Sequence, residues 1–94
     1  MGTLKFQHIK DFYSPVITIL TDLGGQAHLT QIYEFFLSNY GTQLDQSFFT
    51  EIKDNDIKWK DYINRAGYQL VKKGYVRRVK HGVWGLTRKQ YLRE

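Results

Sequence analysis

The densest run of charged chemistry in this sequence is Arg77, Arg78, Lys80 and His81, three fixed positive charges and an imidazole within five residues. Like charges this close repel one another, so their concentration points to a polyanion that they meet together. Phosphate oxygens suit such a cluster, with lysine acting as a point charge and arginine as a bidentate donor. A second set precedes it. Lys60, Asn64, Arg65 and Tyr68, with Asp61 and Lys72, recur at the spacings that gather side chains on one face of a helix. The Arg65 guanidinium has the fork that meets O6 and N7 of guanine, and the Asn64 amide has the donor and acceptor that meet adenine. Each set also has a structural reading. Any amphipathic helix carries a polar outer face, and charge protects an edge hairpin from aggregation.

Residues that could do covalent or metal chemistry are present but badly spaced for it. Asp45 followed by Glu51-Ile52-Lys53 has the acidic-x-Lys form of metal-dependent nucleases, but such carboxylates must stand on adjoining strands to hold a cation. Here they fall in a segment that reads as a loop or helical turn. His8, His28 and His81 are far apart and lack metal-ligand spacing. Ser14 and Ser47 have no nearby histidine or glycine-rich elbow, and Gly24-Gly25 lacks the Lys-Ser/Thr of a phosphate-cradling loop. There is no cysteine, so neither a disulfide framework nor a thiolate metal site can form. The expectation is a binding protein with no catalytic residues, no metal and no cofactor.

The bulk numbers agree with a polyanion partner. The 94-residue chain carries a formal net charge of +5, very unevenly spread. Residues 1–56 hold three lysines against seven acids, a net −4, whereas residues 57–94 hold eleven Lys and Arg against Asp61 and Glu94, a net +9. That asymmetry predicts one basic face. A chain of this length buries about 60–65% of its unfolded surface, enough for one core, and the 16% aromatic content fills such a core with few residues. The longest apolar cluster, Pro15 to Leu23, is interrupted by Thr18, Thr21 and Asp22, so neither a membrane span nor a secretory signal is expected. A soluble, cytoplasmic protein without a membrane partner is the expectation.

The elements that must position these residues follow from periodicity and capping. Residues 1–11 read as an arm or a short leading helix. Ser14-Pro15 predicts an N-cap and first position for a helix within 12–25, with Ile17, Leu20 and Leu23 at helical spacing and Gly24-Gly25 ending it. His28-Leu29 reads as a very short extended piece. Thr30 predicts the cap of a helix over 30–40, with Ile32, Phe35 and Phe36 inward. In 42–56, Leu44, Phe48, Phe49 and Ile52 are apolar enough to pack as a helical turn, and Asp54-Asn55-Asp56 predicts a turn and N-cap. The helix over 57–73 turns Trp59, Ile63, Ala66 and Leu70 inward and stops at Gly74. Period two then predicts a hairpin over 75–87, with His81-Gly82 at its turn, and a polar tail in which Tyr91 and Leu92 can pack back. The predicted fold is α+β, a winged helix-turn-helix: three helices and a two-stranded wing, in one domain spanning 1–94. Residues 57–73 would be the recognition helix, in the major groove of double-stranded DNA, with the wing on the backbone.

The stretch from Trp59 to Thr87, WKDYINRAGYQLVKKGYVRRVKHGVWGLT, resembles the N-terminal winged-helix domain of Mrr-type modification-dependent restriction proteins. The shared features are the helix stop Leu70-Val71-Lys72-Lys73-Gly74 and the hairpin return His81-Gly82-Val83-Trp84-Gly85-Leu86-Thr87. The Pro15-initiated helix with its Gly24-Gly25 end is also similar, so the likeness covers roughly residues 12–90. It departs at Trp84, where the family has tyrosine, and in the acidic, aromatic connection Asp45 to Asp56. The resemblance implies a targeting module joined to a separate nuclease domain or subunit, and contact with a methylated base. Trp59, Tyr62 and Trp84, together with Tyr68, are the candidates for that contact. Two alternatives stand beside it. One is a protein-docking winged helix with the acidic 45–56 segment as its surface; the other is a transcriptional regulator, for which no dimerisation helix is evident.

Overall fold

The apolar stripe Trp59, Ile63, Ala66 and Leu70 organises the molecule. The computed structural model describes residues 6–53 and 56–91. In it these four residues lie on one side of helix α3 (Lys58–Lys73) and are all buried. Two shorter helices close over that side. Helix α1 (Tyr13–Asp22) contributes Val16, Ile19 and Leu20, and helix α2 (Leu29–Tyr40) contributes Ile32 and Phe36. Gly74 ends α3 with φ 89°, a left-handed conformation that other residues adopt only with strain.

Strand β1 (Gln26–His28) links α1 to α2. After α2 come β2 (Glu51–Lys53) and β3 (Asp56–Ile57), and α3 is followed by β4 (Val76–Lys80) and β5 (Val83–Leu86). Strands β1, β5 and β4 form an antiparallel sheet in that order, with His28 opposite Val83 and Arg78 opposite Trp84. Strands β2 and β3 form a separate antiparallel pair. The chain is therefore α+β, with three α-helices and small antiparallel sheets among the described residues. None of these helices is long and apolar enough to cross a membrane.

Aromatic rings form a connected cluster within the core. Phe36 stacks on Phe12 (centroids 5.5 Å apart), on Trp59 (5.7 Å) and on Tyr40 (5.2 Å). Phe6 joins this cluster at 5.0 Å from Phe12 and is itself buried. Phe6 is thus part of the core while Gln7, His8 and Lys10 are exposed, and a 3-10 turn over Ile9–Phe12 leads straight into α1. Within the expected arm, residues 1–5 lie outside the described residues.

Several local expectations shift for physical reasons. Because that 3-10 turn precedes α1, Ser14 lies inside the helix and Phe12 occupies the cap position. Pro15 is still in the first turn, where its missing N–H costs nothing. The cap of α2 is His28, two residues before Thr30, and its backbone N–H donates to Gln31 Oε1 at 3.0 Å. Segment 41–57 forms 3-10 turns at Gly41–Gln43 and Gln46–Phe49 and then the β2–β3 pair. Leu44 and Phe48 enter the core, but Phe49 and Ile52 are about half exposed, at 45% and 46%. Asp54 and Asn55 lie outside the described residues, Asp56 is in β3, and Ile57 takes the cap position of α3.

Candidate nucleic-acid interface

Helix α3 presents its polar residues away from the core, but they differ in how they are held. Asn64 is exposed, and its Oδ1 accepts a hydrogen bond from the Tyr33 hydroxyl of α2 at 3.1 Å. The Lys60 ammonium lies over the rings of Tyr33 (5.1 Å) and Trp59 (5.7 Å). Tyr33 is thus the hub that fixes two neighbours on the outer face of α3. Burial is the main cause that pushes its phenol above the usual range, with the charges of Asp56 and Asp61 adding to it. It therefore stays a neutral hydroxyl at physiological pH. Arg65 donates from Nε to Asp61 Oδ2 at 2.6 Å, an i,i+4 pair.

One turn beyond Asn64, Tyr68 is 51% exposed, the exposed aromatic ring of this helix. The Lys72 ammonium lies 5.2 Å from its ring and the Arg78 guanidinium 6.0 Å from it. Because Arg78 belongs to β4, this three-residue cluster carries the outer face of the helix onto the hairpin. Two cations over an aromatic ring are attracted to its negative face, which offsets part of their mutual repulsion.

The basic run of the hairpin divides between surfaces. Arg77 pairs with Gly85 and Arg78 with Trp84, and successive strand residues point to opposite faces. Arg78 consequently shares the side of the sheet on which Trp84 meets α3, while Arg77 lies on the other. A register shift between Arg78 and Lys80 twists the end of β4. Lys80 and His81 are exposed, but the turn does not stand free: Leu29 N–H donates to Gly82 O at 2.8 Å, tying it to the start of α2. The hairpin is short and fixed against the body of the protein.

The three rings expected as contacts to a modified base are packed against the core to different degrees. Trp59 is 4% exposed and stacked on Phe36. Trp84 is 6% exposed and seated on Gly67, where an added Cβ would come within 2.1 Å of the indole. Tyr62 is half-buried, edge-on to Phe48 at 5.2 Å and Phe12 at 5.6 Å. A bulky ring at helical spacing serves packing first, and these three do so.

Charge remains unpaired on α3 and on both faces of the hairpin. Asp61–Arg65 is the one ion pair among the described residues. Lys72, Arg77, Arg78 and Lys80 are exposed without an acidic partner there. The sequence reading missed Tyr33, whose role appears only when α2 meets α3, and Lys89, whose ammonium donates to Lys73 O at 2.8 Å and lies 4.6 Å from the Tyr75 ring. No protein-family model, curated protein or solved structure matches this chain.

Proposed function

We propose that this chain is a winged-helix domain that binds double-stranded DNA through α3 and the β4–β5 hairpin. The observation that carries this reading is the Tyr68, Lys72 and Arg78 cluster, which makes one cationic surface of a helix and a hairpin. The succession of α1, β1, α2, α3 and a terminal hairpin, with β1 paired to β5, supports the winged-helix assignment. A major groove about 12 Å wide admits a single helix, so α3 would enter with Lys60, Asn64, Arg65 and Tyr68 toward the base edges. Arg78 and Lys80 would meet phosphate, with Arg77 approaching from the other face of the hairpin and His81 from the turn.

In the setting that the sequence resemblance implies, the domain selects a duplex in the cytoplasm and a separate nuclease domain or subunit cuts it. Contact with a methyl group, if made by this surface, falls to Tyr68, the exposed ring among the aromatic candidates.

Fluorescence anisotropy with matched duplexes, unmodified, adenine-methylated and cytosine-methylated, tests the proposal at two salt concentrations. Binding should weaken steeply with salt, by a log–log slope of about −0.9 per phosphate contacted. Absence of binding to every duplex at low salt would overturn DNA recognition. Equal affinity for modified and unmodified duplexes would leave DNA binding standing and remove modification readout.

A further inference from the structure

Of the polar residues on the outer face of α3, Arg65 is held in a way that leaves its most specific donors free. Asp61 engages Nε, at 2.6 Å, and no contact occupies the two terminal nitrogens among the described residues. Those terminal nitrogens form the fork that matches O6 and N7 of guanine. A long side chain that is already oriented loses less rotamer freedom when it binds.

The placement of Asp61 needs an explanation, because a carboxylate among cations weakens the attraction of that surface for phosphate. Its position in the first turn of α3 favours a negative charge through the helix dipole. That accounts for an acid near this end of the helix, but not for its engagement of Arg65. Asp61 is also the better shielded partner, with its side chain 21% exposed against 61% for Arg65. It is thus placed as the fixed member of the pair and Arg65 as the reaching one. Asn64, beside them, is less free. Bidentate contact with adenine uses its Oδ1 as an acceptor, and that oxygen already accepts from Tyr33.

We propose that Asp61 is a positioning residue that presents Arg65 to the major groove, so that α3 selects duplexes with a guanine at one fixed place in the site. The inference rests on the DNA-binding reading above and adds the base and the device that selects it.

The test is selection of duplexes from a random pool by the whole chain, followed by affinity measurements on the selected duplex and its guanine-to-adenine variant. The selected pool should carry a guanine at one position, and its replacement should weaken binding about tenfold. In Asp61→Ala the preference should fall to about twofold, while the unfolding midpoint and the salt dependence stay near those of the parent. Asp61→Glu, which keeps a carboxylate within reach of Arg65, should restore much of the preference. Arg65→Lys, which keeps the charge and loses the fork, should remove it. A pool without an enriched guanine, or an Asp61→Ala protein with the parent's preference, would overturn the inference and leave DNA binding intact. A chain that retains no duplex at low salt would overturn both.

Discussion

Helix α3 and the connection that precedes it are neighbours in sequence and opposites in how they are held. The inner side of α3 buries Trp59, Ile63, Ala66 and Leu70. Its outer side carries Arg65, Tyr68 and Lys72 into solvent. Segment 41–57 has Leu44 and Phe48 as its buried anchors, and all three residues of β2 are exposed. Local hydrogen bonds hold much of it: Asp45 Oδ2 accepts from Ser47 N–H at 3.1 Å, Thr50 Oγ1 donates to Ser47 O at 2.7 Å, and Lys58 N–H donates to Thr50 O at 2.9 Å. Tertiary burial fixes the helix rigidly enough to present side chains at set spacings. The connection owes its shape to short-range contacts and tolerates change.

Two isoleucines give the sharpest way to break that comparison. Ile63 is fully buried in α3, and Ile63→Ala should cost about 2–5 kcal/mol, for the lost methylenes plus the cavity left behind. Ile52 is 46% exposed, and Ile52→Ala should change stability by less than about 0.5 kcal/mol. Urea denaturation of both variants measures the difference. Similar losses would mean that the connection is as tightly packed as the helix.

A smaller effect is expected at Gly67, where the Trp84 indole of the hairpin packs directly on α3. Alanine there gains helix propensity, about 1 kcal/mol, but its Cβ would stand 2.1 Å from Trp84 Cη2. Relief of that overlap moves either the indole or the helix, and overpacking of this kind costs about 1–3 kcal/mol. Gly67→Ala should therefore lower the unfolding midpoint. It should also weaken DNA binding beyond the lost stability, because Trp84 lies opposite Arg78 on the hairpin. A midpoint at or above that of the parent would show that Trp84 repacks freely.

At the level of binding, neutralisation separates the two regions again. Arg78→Gln removes a cation from the cluster around Tyr68, and the salt slope of duplex binding should fall by about one. Lys53→Gln removes a cation that lies opposite Asp56 in the backbone register of β2 on β3, and the slope should stay unchanged. Equal effects in the anisotropy titration would extend the interface over the connection.

What could be read in the sequence follows the same division. The buried stripe of α3, its stop at Gly74 and the period-two hairpin were legible because long, regular elements repeat their signal over many residues. Strands of two and three residues leave no such signal, so β2 and β3 were not anticipated, and Phe49 and Ile52 were expected inside for their apolarity alone. Phe6 was hidden for another reason: a lone aromatic in a polar stretch does not reveal the cavity that takes it. Within the candidate site, the Asp61–Arg65 pair is visible in its i,i+4 spacing. Tyr33 and Asn64 lie 31 positions apart, and only the packing of α2 on α3 brings them together. The charge pattern announced a basic surface, but the division of Arg77 from Arg78 required the register of β4 on β5.

Tyr33 stands where the two regions meet, and its titration gives the subtlest prediction. Asp56 in β3 and Asp61 in α3 reinforce the burial that raises its pKa. The folded protein therefore holds this proton more tightly than the unfolded chain, whose tyrosines titrate near about 10. The resulting stabilisation is fully present below the unfolded pKa and is lost as pH rises through the folded one. Tyr33→Phe should accordingly flatten the decline of unfolding free energy on the alkaline side. At neutral pH the change should be modest, within about 1 kcal/mol, because the Asn64 amide is exposed and water can replace the hydroxyl. Urea denaturation at a series of alkaline pH values, with phenolate absorbance followed in parallel, measures both. An unchanged alkaline slope in Tyr33→Phe would mean that this phenol is not held back, and that the contact between α2 and α3 is looser than its hydrogen bond to Asn64 implies.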